Sequence, residues 1–119
     1  MSISISNSTR RPTPRLPFEA LKTQVLGKKF EVSLVFCGDS LSHKLNKTYR
    51  KKDYPTNVLA FEIGEDSGEI FINLSRLKGF SVKELFVHAL FHLKGMEHGY
   101  KMEEAEKQIL NGTSNRNRH

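Results

Sequence analysis

The sequence predicts a single α+β domain in which a small β-sheet packs against helices, and three observations carry that expectation. Residues 29–37 alternate in strand period, and two further β-type runs follow at 57–63 and 68–74. Helical spacing with capping signals marks segments before, between and after these runs. The length of 119 residues suffices for one domain and its core but not for two.

Taken in order, Phe18, Leu21 and Val25 form a helical stripe, with Pro17 near its start and Gly27 just past its end. Phe30, Val32, Leu34 and Phe36 then supply the alternating apolar face of the first strand. Asp39 and Ser40 are both placed to cap a helix over residues 41–49, in which Leu41, Leu45 and Tyr49 share one face. The runs NVLAFEI and GEIFINL, separated by an acidic Gly-bearing turn over residues 64–68, suit an antiparallel hairpin. Ser81 with Glu84 reads as a capping box for the helix VKELFVHALFHL, which Gly95 ends. A last helix is expected over residues 101–110, with Glu103 and Lys107 paired four residues apart. The Ser-rich, Arg-bearing segment 1–16 and the segment 112–119 read as flexible tails flanking a domain at 17–111.

Lys and Arg number 19 against 13 Asp and Glu, a formal charge of +6. Five of those positive charges are the arginines of the two tails, so the middle of the chain is nearly neutral, and total charge alone does not establish a nucleic-acid partner. Trp is absent and Cys37 is the one cysteine, which excludes a disulfide scaffold; Cys37 reads as a buried strand residue. No apolar run approaches the ~20 residues of a membrane span, and no secretory leader is recognisable. A soluble domain in a reducing, cytoplasmic compartment is expected.

The strongest local signal is H88-A-L-F-H92-L-K-G95-M-E-H98. Four-residue spacing puts His88 and His92 on one helix face, and Gly95 permits the turn that returns His98 toward them. Three imidazoles leave a fourth position open on a tetrahedral ion, which marks a catalytic site. Zn2+ is the first inference, and Ni2+ suits the same ligands. The spacing is that of the metzincin protease signature, but Ala89 stands where those proteases carry a Glu as base, which argues against peptide hydrolysis. Proton transfer is then left to Glu97 or to the substrate itself. His43 and His119 show no such pattern and read as surface residues.

The segment FVHALFHLKGMEHG resembles the HGxLHLxGYDH motif of the YbeY family, metal-dependent endoribonucleases of ribosomal RNA maturation. LNKTYRKKDYPTNVLAFEI and GEIFIN are similar to that family's preceding segments. The resemblance implies a mixed sheet of about four strands, His88, His92 and His98 as metal ligands, Arg50 as a functional arginine near the metal, and cleavage of single-stranded RNA. It also implies the ribosome or its small subunit as partner and processing of the 16S 3′ end as the role. The chain departs from the family pattern at Ala89, Glu97, Asn57 and Ala60, and its connection over residues 73–81 is shorter than the family's.

On the substrate side, Lys44, Lys47, Arg50, Lys51 and Lys52 form an acid-free run, with Tyr49 and Tyr54 placed to stack on unpaired bases. Lys47, Arg50, Lys51 and Lys52 are the expected substrate-binding residues, whereas Glu62, Glu65, Asp66 and Glu69 repel a polyanion from the other side. The rival reading is a ribosome-associated RNA-binding factor with a structural metal and little turnover; a metalloprotease ranks below both.

Overall fold

The structure, a computed structural model, describes residues 2–95 and 99–115. The elements in chain order are β1 (Ile3–Asn7), α1 (Phe18–Leu26), β2 (Glu31–Cys37), α2 (Asp39–Arg50), β3 (Val58–Gly64), β4 (Ser67–Asn73), α3 (Val82–Leu93) and α4 (Tyr100–Asn115). The four strands form one mixed sheet in the order β1-β2-β4-β3, confirming the α+β class. β1 and β4 both run parallel to β2, while β3 and β4 form the expected antiparallel hairpin.

Register explains which face is buried. Leu34 pairs with Ile70 and Phe36 with Ile72, so these four apolar side chains line one face of the sheet. That face packs against α1 and α3: Phe18 of α1 meets Phe86 of α3 edge-on at 5.0 Å and Phe36 of β2 at 6.0 Å between ring centroids. Seven residues of α3 are buried there, Leu85, Phe86, Val87, Ala89, Leu90, Phe91 and Leu93. α2 lies on the opposite face, where Tyr49 packs on Phe61 at 5.3 Å. No helix among the described residues is long and apolar enough to cross a membrane.

Four expectations need correction. Residues 3–7 are not part of a tail: the ISISN segment is the edge strand β1, with Ile3 opposite Val32 and Ile5 opposite Leu34. Its isoleucines alternate in strand period, and the serines between them suit the face away from the core. At the other end α4 extends to Asn115, absorbing residues 112–115 of the expected tail, and Lys107 pairs with Glu104 at 3.8 Å instead of Glu103. Asp39 lies inside α2 and neither it nor Ser40 caps the helix, because Gly38 is the N-cap and the Asp39 carboxylate is drawn to Arg76. The capping box at Ser81 and Glu84 is present as expected, with bonds of 3.0 and 2.8 Å.

Gly68 is where α3 comes closest to the sheet. A Cβ there would lie 2.7 Å from Leu93 Cδ2 and 3.0 Å from the Phe61 carbonyl oxygen. The absent side chain therefore sets the depth at which the end of α3, and with it His92, rests on β4. Gly68→Ala is expected to destabilise the fold by about 1–3 kcal/mol through overpacking; an unchanged denaturation midpoint would contradict this close approach.

Candidate active site

α3 is apolar over most of its surface, and packing of its seven buried residues fixes its rotation, so His88 and His92 emerge half-buried on the remaining stripe. Their Nε2 atoms are 3.1 Å apart and their rings nearly perpendicular, with centroids at 4.6 Å. Nitrogens on one tetrahedral Zn2+ at bond lengths of about 2.0–2.1 Å are separated by roughly 3.3 Å, so the observed spacing fits a shared ion with little rearrangement. Among the described residues no group of three His, Cys, Asp or Glu is assembled as a metal site. The predicted third ligand His98 and the predicted proton carrier Glu97 lie outside the described residues. Gly95, with φ of +94°, makes the left-handed turn expected at the end of the helix.

Behind His88 stands a residue that sequence reasoning missed. Glu106 of α4 places Oε2 3.0 Å from His88 Nδ1, with the two side chains 19% and 26% exposed. A carboxylate can only accept here, so His88 carries its proton on Nδ1 and presents a lone pair at Nε2. α4 is held in position by Met102, which is 1% exposed in the core.

Arg50, at the C-terminal end of α2, shares a cleft of about 160 Å³ with Asn57, Ala60, His88, Ala89 and His92. The structure thus brings together the predicted arginine and the two described histidines. Among the described residues no carboxylate pairs with Arg50, leaving its guanidinium available to an anion. Ala89 is 1% exposed and contributes no proton acceptor to the cleft, as the sequence implied. Lys47, Lys51 and Lys52 are exposed, and Lys47 lies 3.9 Å from Asp53, which also takes His43 at 2.7 Å. Tyr49 and Tyr54 are exposed. Cys37 is fully buried, and that burial, with Asp39 nearby, pushes its thiol up to about 11, so it is inert at neutral pH.

A polar lattice fixes the loop that delivers Asn57 to this cleft. Ser42 Oγ donates to the Thr56 carbonyl at 2.6 Å and accepts from the Thr56 N–H at 2.9 Å, and Asn46 Nδ2 donates to the Tyr54 carbonyl at 2.8 Å. Asn73 Nδ2 reaches both Asp39 Oδ1 at 2.7 Å and the Thr56 carbonyl at 3.2 Å. Ser42, Asn46 and Asn73 are all buried, and each finds its hydrogen-bond partners within the fold.

Against this geometry, the sequence pattern that defines the endoribonuclease YbeY family matches residues 4–116. The chain belongs to that family. Endoribonuclease YbeY of Treponema denticola is 37% identical over 100 residues, covering 66% of this chain and 64% of that protein. The Chlorobium chlorochromatii member is 34% identical over 114 residues, covering 81% of this chain and 72% of its own. The chain therefore spans less than two thirds of the Treponema protein. A solution structure from Thermotoga maritima shares the fold with a TM-score of 0.55 at 19% identity, over 97% of this chain and 93% of that one. The family match begins at β1, in agreement with that strand being part of the domain.

Arg76 donates to both oxygens of Asp39, at 3.1 and 2.9 Å, and with Asn73 holds the Asp39 carboxyl down at about 2 from its usual 3.8. A depressed folded-state pKa means that the contribution to stability is complete above about pH 3.8 and disappears as pH falls through about 2. Asp39→Asn should therefore lower the melting temperature at pH 7, with the gap to the parent closing between pH 4 and pH 2. A gap that persists undiminished at pH 2 would show that the charge of Asp39 is not the cause.

Proposed function

We propose that this chain is a metal-dependent, single-strand-specific endoribonuclease acting in ribosomal RNA processing and ribosome biogenesis, with maturation of the 16S 3′ end as its role. The carrying observation is the convergence of His88 Nε2 and His92 Nε2, backed by Glu106, in the cleft that also holds Arg50. Family membership supports the reaction class. The substrate is the unpaired strand of an rRNA precursor, met on the ribosome or its small subunit in the cytoplasm.

His88, His92 and His98 are the proposed ligands of one divalent ion, Zn2+ in the first instance and Ni2+ as an admissible substitute. When bound, the ion supplies Lewis acidity toward a phosphoryl oxygen and offsets charge gathering there. Arg50 holds the phosphate with two parallel N–H···O bonds and stabilises the added negative charge of the transition state. Lys51, Lys52 and the more distant Lys47 guide the flanking backbone. Glu106 keeps the His88 proton on Nδ1, so that Nε2 remains a donor of electrons. Glu97 is the proposed proton carrier. Ala89 provides no base at the position a metalloprotease would need, which disfavours peptide hydrolysis.

Purified protein reconstituted with Zn2+ should hold about one ion per chain and cut a labelled single-stranded RNA, with chelator abolishing cleavage. Failure to retain a divalent ion would remove the basis of this assignment. Arg50→Ala is expected to bind the ion normally yet cleave about 10²- to 10³-fold more slowly; cleavage at the parent rate would exclude Arg50 from the reaction and favour the binding-factor reading. Glu106→Ala should weaken metal affinity about 10- to 100-fold in a chelator competition, with Glu106→Gln, which keeps an acceptor, recovering part of the loss. Equal affinity in parent and Glu106→Ala protein would reduce the His88–Glu106 contact to a packing role.

A further inference from the structure

Beside the metal cleft lies a second concavity of about 320 Å³, closed on one side by α3 and on another by α4. The two hollows share Asn57, Val58 and His88 as common walls, so they lie side by side. The second is mostly apolar, walled by Leu85 and Leu110, with the Phe80 ring at its rim. Phe80 is 52% exposed, an unusual state for a phenylalanine in a segment that leads into the most buried helix of the domain.

We propose that this hollow is a nucleobase subsite, which takes one unpaired base of the RNA strand whose phosphate lies at Arg50 and the histidines. The proposal rests on the endoribonuclease reading and deepens it by assigning the base next to the reacting phosphate. Charge separates the two hollows. The cleft carries Arg50, whereas the second hollow is lined by Glu84 and Glu106; one oxygen of each is taken, by Ser81 N–H and by His88 Nδ1 respectively, and the other turns a phosphate away and suits an N–H group of a base. Volume agrees, because the hollow lies at the small end of ligand pockets and suits a single planar ring system. Phe80 offers the face on which an extruded base stacks. Asn57 stands on the wall between base and phosphate, and its Nδ2 lies 3.5 Å from the Leu77 carbonyl, at the outer limit of a hydrogen bond, so its amide is available to a base edge. At this position a carboxylate would repel the phosphate next door, and the neutral amide does not.

The test uses the zinc-loaded full chain and a single-stranded RNA hexamer carrying 2-aminopurine at each position in turn. One position should show fluorescence quenching on binding, Phe80→Ala should remove that quenching, and affinity should fall about 10-fold. Replacing the same nucleotide by an abasic residue should give a similar loss, and the two changes together should cost no more than either alone. Phe80 is exposed, so its truncation leaves the core intact, and the melting temperature verifies that. Uniform quenching at all positions, or Phe80→Ala binding every hexamer as the parent does, would overturn the subsite even where RNA is cleaved. Selective quenching in a protein that does not cut RNA would instead retain the subsite and reject the endoribonuclease reading.

Discussion

Helix α3 has two obligations that compete for the same twelve residues. It must fill the space over the sheet, and it must bring two imidazoles to the surface with their Nε2 atoms pointing at one place. Packing decides the outcome: Leu85, Phe86, Leu90 and Leu93 are each at most 6% exposed, and burying side chains of this size contributes about 1.5–3 kcal/mol apiece. A rotation of α3 that moved the histidines would have to expose several of them together. The orientation of the candidate ligands is thus inherited from the core. Gly68 extends the same constraint, because the helix settles on β4 only where no side chain intervenes.

The remaining parts of the site are attached to this fixed helix by polar contacts of a different character. α2 ends at Arg50, and Lys51 takes a left-handed conformation with φ of +58°, so the chain leaves the helix sharply and turns back. The returning loop is then held by Ser42, Asn46 and Asn73, whose bonds to backbone at residues 54–57 replace the hydrogen bonding a sheet would have supplied. Apolar burial therefore sets where His88 and His92 stand, and directional hydrogen bonds set where Arg50 and Asn57 stand relative to them. The two mechanisms meet in the cleft, and a change in either is felt as a change in the distance between arginine and imidazole.

What was legible in the sequence follows from the range of the interactions involved. The capping box of α3, the β3–β4 hairpin and the His88–His92 pair each depend on residues near one another in the chain, and each was expected. β1 was misread because two isoleucines among serines bury too little by themselves; the strand exists because β2 offers it an edge, 28 or more residues away, and that template is invisible to local periodicity. Asp39 is a good N-cap residue by composition, but Arg76, 37 residues on, claims its carboxylate. Glu106 was not singled out within the last helix, because its bond to His88 depends on how α4 docks. A helical register placing Met102 and Glu106 four apart, one apolar and one acidic on neighbouring turns, was the available signal.

The charge of the molecule gains meaning from the same placement. The formal +6 comes largely from tail arginines, and the folded region supplies little net attraction for a polyanion. Local arrangement does more than the total. His43 and Lys47 are turned toward Asp53, whereas Arg50 lines the cleft with His88 and His92. Across His88 the sign changes, because Glu84 and Glu106 face the second hollow. Field lines in a narrow, weakly polarisable cleft are focused, so a boundary between positive and negative walls orients a strand even where the net charge is small. On the proposed reading, phosphate would be drawn to one side of His88 and excluded from the other. An RNA strand can satisfy both sides at once only by turning its base away from its backbone, and a rigid, fully stacked duplex cannot do so without first unpairing. The proposed preference for single strands would follow from the placement of a few charges around one histidine.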